Sequence, residues 1–128
     1  MESARKFKEE INDFDKKYEI FFDNLKPRTF KYTNREVSWR THYGMILDEL
    51  KEAMDVAGIT SQECGAYCLD DINQPDGKGG IRYGEFIPLN TWQIQKLKPR
   101  VSALEQTIID YETRISNLEA EIQNLKST

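Results

Sequence analysis

The sequence is short of the residues that build most reactive and cross-linked sites. It holds one histidine, His42, and two cysteines, Cys64 and Cys68. A zinc site needs more ligands at close spacing, and His42 is far from "ECGAYC", so no metal is expected and the cysteines read as reduced structural thiols. Long apolar runs are missing as well. Nothing approaches the roughly 20 residues that span a bilayer, and the charged N-terminus lacks a signal-peptide core, so no membrane partner is expected. Neither charge sign dominates: 18 Lys and Arg stand against 22 Asp and Glu, interspersed, for a net charge of −4. That leaves no electrostatic footprint for nucleic acid. The pattern fits a protein made and used in a cytosol, or on a particle assembled there. The glycine-rich segment "DDINQPDGKGG" lacks both the spacing of a calcium loop and the leading glycine of a phosphate loop. A polar hairpin tip explains it, and no cofactor is expected.

Hydrophobic residues make up only 38% of the 128, against 31% charged, which suits a chain that keeps much of its length in a solvated helix. Along the first part, Phe7, Ile11, Phe14, Tyr18, Phe21 and Leu25 recur in steps of four and three. They predict one helix ending before Lys26 and Pro27, packed on a core. "RTFKY" and "EVSWRTHYGM" then read as two strands around a turn at Asn34 and Arg35. Val37, Trp39, Thr41 and Tyr43 fall on one face, and Ser38, Arg40 and His42 on the other. "ILDELKEAMDVAG" is a second helix with Ile46, Leu47, Leu50, Met54 and Ala57 on one stripe and Gly58 as its stop. "GAYCLDDI" and "GIRYGEFI" form a second hairpin. Residues 1–90 are therefore expected to be an α+β body of helices and two β-hairpins.

Residues 91–128 have another character. Ile94, Leu97, Val101, Leu104, Ile108, Tyr111, Ile115, Leu118, Ile122 and Leu125 keep an unbroken four-three rhythm, the seam of a coiled coil. With Ile94 at position a, every a site is Ile or Val, and every d site is Leu except Tyr111. In a parallel bundle the flanking positions pair Arg100 with Glu105, Arg114 with Glu119 and Glu121 with Lys126, all opposite in sign. A parallel homo-oligomer follows, with β-branched a and leucine d residues leaning toward two strands and the bulk of Tyr111 toward a wider section. Pro99, at an outer f position, is expected to kink the helix or begin a new one.

The stretch "ESARKFK" admits two readings. A helix cap accounts for Ser3 and a solvated charge for Lys8. A self-cleaving junction accounts for the pair and the short stub before it, since a neutral lysine can activate a serine where desolvation and nearby cations, here Arg5 and Lys6, favour its neutral form. Residues five apart on a regular helix point about 140° apart. Ser3 and Lys8 therefore cannot meet inside one straight helix. Either the serine lies in an extended lead-in or the lysine comes from another chain.

Taken in order, "SARKFKEEI", "FDNLKPRTFKY", "THYGMILDEL", "YGEFIPLNTWQIQKL" and the terminal heptads cover nearly the whole chain. In these the chain resembles the C-terminal intramolecular chaperone and auto-processing domain of phage endosialidases, tailspikes, tail fibres and neck appendages. Within that family it most resembles the neck appendages of small Bacillus phages. The resemblance implies a homotrimer that holds three chains together while an upstream triple β-helix stalk folds, then releases itself from the virion by cutting before a serine that works with a lysine. Those residues are Ser3 and Lys8, with the Glu2–Ser3 bond as the cleavage site. His42 is assigned to orienting the leaving amine or stabilising the oxyanion. The short stub of Met1 and Glu2 leads to the expectation that the chain starts at or beside the processing point. Residues 66–86 are expected to project a polar tip, 73–80, toward the stalk as a holding arm. The heptads by themselves also fit a non-catalytic trimerisation or interaction module.

Overall fold

The computed structural model describes residues 3–69 and 79–127. It divides into two compact units, Met1–Asn90 and Thr91–Thr128. The order of elements is α1 (Lys16–Asp23), β1 (Arg28–Phe30), β2 (His42–Gly44), α2 (Leu47–Ala57), β3 (Tyr67–Leu69), β4 (Gly79–Ile81) and α3 (Phe86–Ser127), with single 3-10 turns at Arg5–Phe7, Ser61–Glu63 and Tyr83–Glu85. The strands form two separate two-stranded antiparallel sheets, β1 with β2 and β3 with β4. The α+β class expected from the sequence is the class observed.

The first helix is much shorter than the spacing of its apolar residues predicts. Residues 8–15 are not helical, and Glu10 takes a left-handed φ of 51°. Short polar side chains divert the backbone there. Asn12 donates its amide to the Glu10 carbonyl at 3.0 Å, and the Asp15 carboxylate accepts the Lys17 N–H at 3.1 Å, which makes Asp15 the cap of α1. Phe7 and Ile11 are consequently exposed, while Phe21 reaches the core. At the other end Asn24 closes the helix by donating its side-chain amide to the Ile20 carbonyl at 2.8 Å.

α2 follows its sequence closely. Leu50 and Met54 are almost wholly buried, together with Ala53, while Ile46 precedes the helix and is exposed. Gly58 sits at φ 74°, its N–H donates to the Asp55 carbonyl, and the Ile59 N–H donates to that of Met54 at 2.9 Å. That is the Schellman arrangement, and the buried Ile59 and Met54 supply its usual apolar contact. α1 packs against α2, and Phe21 stacks on Phe86 at 6.3 Å. Cys64, Ala66 and Leu89 complete the core.

Ion pairs tie this frame together at its rim. Arg28 reaches Glu49 with two bonds of 3.0 and 2.7 Å, linking β1 to α2. Lys17 pairs with Glu63 at 2.5 Å, and Glu63 also accepts the N–H and hydroxyl of Thr60 in a capping box. The Lys17 ammonium, followed by the Thr60 donors, holds the Glu63 carboxyl down at about 2.

Each hairpin pairs over fewer residues than expected. In the first, Asn34 Oδ1 accepts the Glu36 N–H and Asn34 O accepts that of Val37, while Ser38 Oγ accepts that of Arg40. These local bonds draw the backbone of residues 36–40 away from a ladder, so β2 begins only at His42. Val37 and Trp39 are left exposed, Trp39 at 70% with Arg40 over its ring. In the second hairpin Tyr67 faces Ile81, and the strand expected to run through "GIRYGEFI" stops there. A 3-10 turn replaces its remainder before α3 begins. Of the calcium-loop look-alike at 70–80, which holds the expected tip at 73–80, residues 70–78 lie outside the described ones, while Gly79 and Gly80 are in β4.

In the second unit α3 carries the heptad seam. Pro99 does not start a new helix, since the helix runs through it for 42 residues in all. A proline on the outer f position costs one hydrogen bond and leaves the rest of a long ladder in place. The ten seam residues, Ile94 to Leu125, are each 49–75% exposed in the single chain. Among the described residues no helix is long and apolar enough to cross a membrane.

Candidate functional site

Ser3 precedes the first turn of the chain and is exposed. It caps no helix: the residue at the head of the Arg5–Phe7 turn is Ala4, extended at φ −66° and ψ 148°, and α1 is capped by Asp15. The N–H of Phe7 donates to the Ala4 carbonyl and that of Lys8 to the Arg5 carbonyl, after which Lys8 returns to extended backbone. Ser3 and Lys8 thus flank one 3-10 turn, with Ser3 outside any helix and Ala4 extended between them. The two residues are therefore not inside one straight helix. Arg5 and Lys6 occupy the turn, with the Lys6 ammonium 5.0 Å from the Phe7 ring centre. Glu2, the other side of the expected cleavage site, lies outside the described residues.

His42 is placed by the first hairpin. It faces Phe30 across the sheet, and the two rings stack at 5.9 Å and 22°. Tyr32 meets the imidazole edge-on at 5.1 Å. Nε2 lies 2.8 Å from Ser38 Oγ. Two residues on, Gly44 has no room for a side chain: a Cβ there would strike the Tyr83 hydroxyl and lie 3.2 Å from Phe30. That hydroxyl accepts the Met45 N–H at 3.0 Å and reaches the Met45 carbonyl at 3.4 Å. The His-Tyr-Gly stretch is therefore gripped between Phe30 and Tyr83, while Tyr43 points away and is 85% exposed.

Among the described residues no hydrogen bond or ion pair joins Ser3, Lys8 and His42 to one another. A cavity of about 310 Å³ beside the lead-in is lined by Glu10, Phe14, Cys64, Glu85 and Phe86 among others, and none of the three residues lines it. Among the described residues no group of three or more His, Cys, Asp or Glu could hold a metal. Cys64 is buried, Cys68 half-buried, and both are free thiols. Sequence reasoning put Ser38 on the face of His42 but missed Phe30 and Tyr32 as its surroundings, and Tyr83 as the partner of Gly44 and Met45. The alternation of Phe30 and Tyr32 opposite a histidine strand was the available signal; the 38-residue link from Tyr83 to Met45 carried none.

Fold and site together define a small α+β body whose uncapped serine stands at the head of its lead-in, with a long heptad-patterned helix at its C-terminal end. Residues 3–59 match the Peptidase S74 family, described as chaperone of endosialidase. The match opens at Ser3, takes in Lys8 and His42, and closes at Ile59, the residue after the glycine stop of α2. No curated protein and no solved structure matches the chain. A match to this family implies an intramolecular chaperone that releases itself by autoproteolysis, in the setting of viral tail-protein assembly.

Proposed function

We infer that the chain is a C-terminal intramolecular chaperone which trimerises through α3, assists the folding of an upstream triple β-helix stalk, and then cuts itself off before Ser3. The observation that carries this reading is the family match opening at an exposed serine that caps no helix. Ser3 Oγ attacks the Glu2 carbonyl carbon while its proton passes to neutral Lys8 Nζ. The tetrahedral intermediate then collapses with loss of the Glu2–Ser3 C–N bond, the Ser3 nitrogen taking up a proton. The acyl group is left as an ester on Oγ, and water hydrolyses it to a Glu2 carboxylate and the restored hydroxyl. His42 stabilises the oxyanion or orients the leaving amine.

Lys8 is exposed in the single chain, whereas a neutral lysine base needs dry surroundings. A neighbouring copy supplies them, so cutting waits for assembly. The seam supports that order, because burying ten half-exposed apolar side chains contributes on the order of 1 kcal/mol apiece. The flanking charge pairs add only about 0.2–1 kcal/mol each. Three copies, rather than two, come from the family reading. The cut takes place during virion assembly in the host cytoplasm.

The experiment is a precursor with stalk residues restored upstream. It should yield a fragment beginning at Ser3, whereas Ser3→Ala and Lys8→Ala precursors assemble and stay whole. A fragment starting at position 3 from the Ser3→Ala precursor refutes the nucleophile. The second reading, a non-catalytic coiled-coil trimerisation module, is favoured by the half-exposed heptad seam of α3, which needs no cut to associate, and an uncut wild-type precursor would establish it.

A further inference from the structure

We propose that Ser38 is a positioning residue for His42: its hydroxyl occupies Nε2, so that the imidazole carries its proton on Nδ1 and acts as a hydrogen-bond donor rather than as a base. This rests on the role given to His42 in the autoprocessing reading, and it names the atom and the kind of help.

Ser38 lies in the long connection between β1 and β2, four residues before His42 and half-buried like it. Its Oγ accepts the Arg40 N–H at 3.2 Å, a local turn that pins the hydroxyl oxygen. An oxygen engaged in this way keeps its own hydrogen and a second lone pair, and the proposal gives that hydrogen to His42 Nε2, 2.8 Å away. A neutral imidazole whose Nε2 accepts must hold its proton on Nδ1. On the proposed assignment the bonds run in one direction, from Arg40 N–H to Ser38 Oγ and from Ser38 O–H to Nε2, so each polarises the next.

Aromatic neighbours hold the ring for this bond. Phe30 lies nearly parallel to it at 22°, and Tyr32 meets it edge-on at 65°. The two fix the plane of the imidazole, and Ser38 fixes its rotation within that plane. The Arg40 guanidinium is turned to Trp39, 5.2 Å from that ring centre, so the segment's cation is engaged elsewhere. What remains is Nδ1–H, a neutral donor suited to the negative oxygen that develops on the Glu2 carbonyl. Accepting the Ser3 proton is left to Lys8.

Two measurements test this. Long-range ¹H–¹⁵N correlation spectra of the labelled full chain at neutral pH should show His42 protonated at Nδ1. Ser38→Ala should move the ring toward Nε2 protonation, and Ser38→Thr, which keeps an Oγ, should restore the wild-type pattern. In the stalk-bearing precursor Ser38→Ala should slow cutting roughly tenfold, about what one lost hydrogen bond is worth. Ser38→Thr should cut at close to the wild-type rate, and Ser38→Ala should add nothing to His42→Ala. A wild-type ring protonated at Nε2, or an unchanged Nδ1 signal in Ser38→Ala, overturns the proposal. A His42→Ala precursor that cuts at full rate overturns it at the catalytic end, whatever the spectra show. The spectra need no precursor, so their failure is separate from failure of the autoprocessing reading, which the Ser3→Ala precursor reports.

Discussion

Replacing Gly44 by alanine tests how the His-Tyr-Gly stretch is held. The backbone at Gly44 is ordinary strand, paired with Arg28, and by itself would tolerate alanine or gain about 0.4–1 kcal/mol from a stiffer unfolded chain. The obstacle is space. The added Cβ runs into the Tyr83 hydroxyl and lies 3.2 Å from both Phe30 Cε1 and Tyr83 Cζ. Forcing a methyl into such a contact costs about 1–3 kcal/mol. Displacing Tyr83 also breaks its bond to the Met45 N–H, worth about 0.5–1.5 kcal/mol. Gly44→Ala should therefore destabilise by roughly 2–3 kcal/mol net. Tyr83→Phe alone removes only the hydroxyl's bonds, at about 1 kcal/mol. With the oxygen gone the main clash goes too, so the double variant should cost clearly less than the sum, with a coupling of about 1 kcal/mol or more. Urea unfolding followed by circular dichroism, at one fixed chain concentration, measures all four corners of the cycle. Additivity within about 0.3 kcal/mol would refute the reasoning, because Gly44 and Tyr83 would then not share that space.

Core and rim make separate demands. Leu50→Ala and Met54→Ala, at the two most deeply buried side chains, should each cost about 2–5 kcal/mol in the same assay. The Glu63 carboxyl sits at about 2 in the folded chain against 4.5 ordinarily. Folding therefore favours its charged form, giving a stabilisation present above pH 4.5 and lost as the pH falls through about 2. Glu63→Gln should flatten the acid limb of a stability–pH profile over that window and leave the neutral region parallel to wild type. Ile108→Lys combined with Ile115→Lys should split the assembly in sedimentation equilibrium, whereas Arg114→Glu should only weaken it. A wild-type dimer mass at micromolar concentration would defeat the trimeric chaperone reading.

Much of this protein was legible because its signals are local. The glycine stop of α2 needs a left-handed residue one step past the last helical turn, and Gly58 is there at φ 74°. The apolar stripe of α2 depends on a 3.6-residue period, so Leu50 and Met54 could be placed in the core from their spacing. The four-three rhythm from Ile94 to Leu125 marked the long helix in the same way. That Ser3 and Lys8 could not meet inside one straight helix followed from helix geometry, and Ser3 lies outside any helix, before the extended Ala4.

Tertiary structure decided the rest, for two physical reasons. Apolar spacing says which residues could share a face, but not whether the backbone is free to form the element. Asn12, Asp15, Asn34 and Ser38 take up nearby backbone groups, which is why the stripe through Phe7, Ile11 and Phe14 is no helix and the run through Val37 and Trp39 no strand. The second reason is distance along the chain. The grip of Tyr83 on Met45 spans 38 residues and the pairing of Arg28 with Glu49 spans 21, and no local pattern encodes contacts that exist only once separate elements have packed. The surroundings of His42 belong to both kinds: Phe30 is set opposite it by the register of the sheet, and the Ser38 hydroxyl reaches Nε2 only because the connection folds back on itself through a turn where alternation had called for a strand.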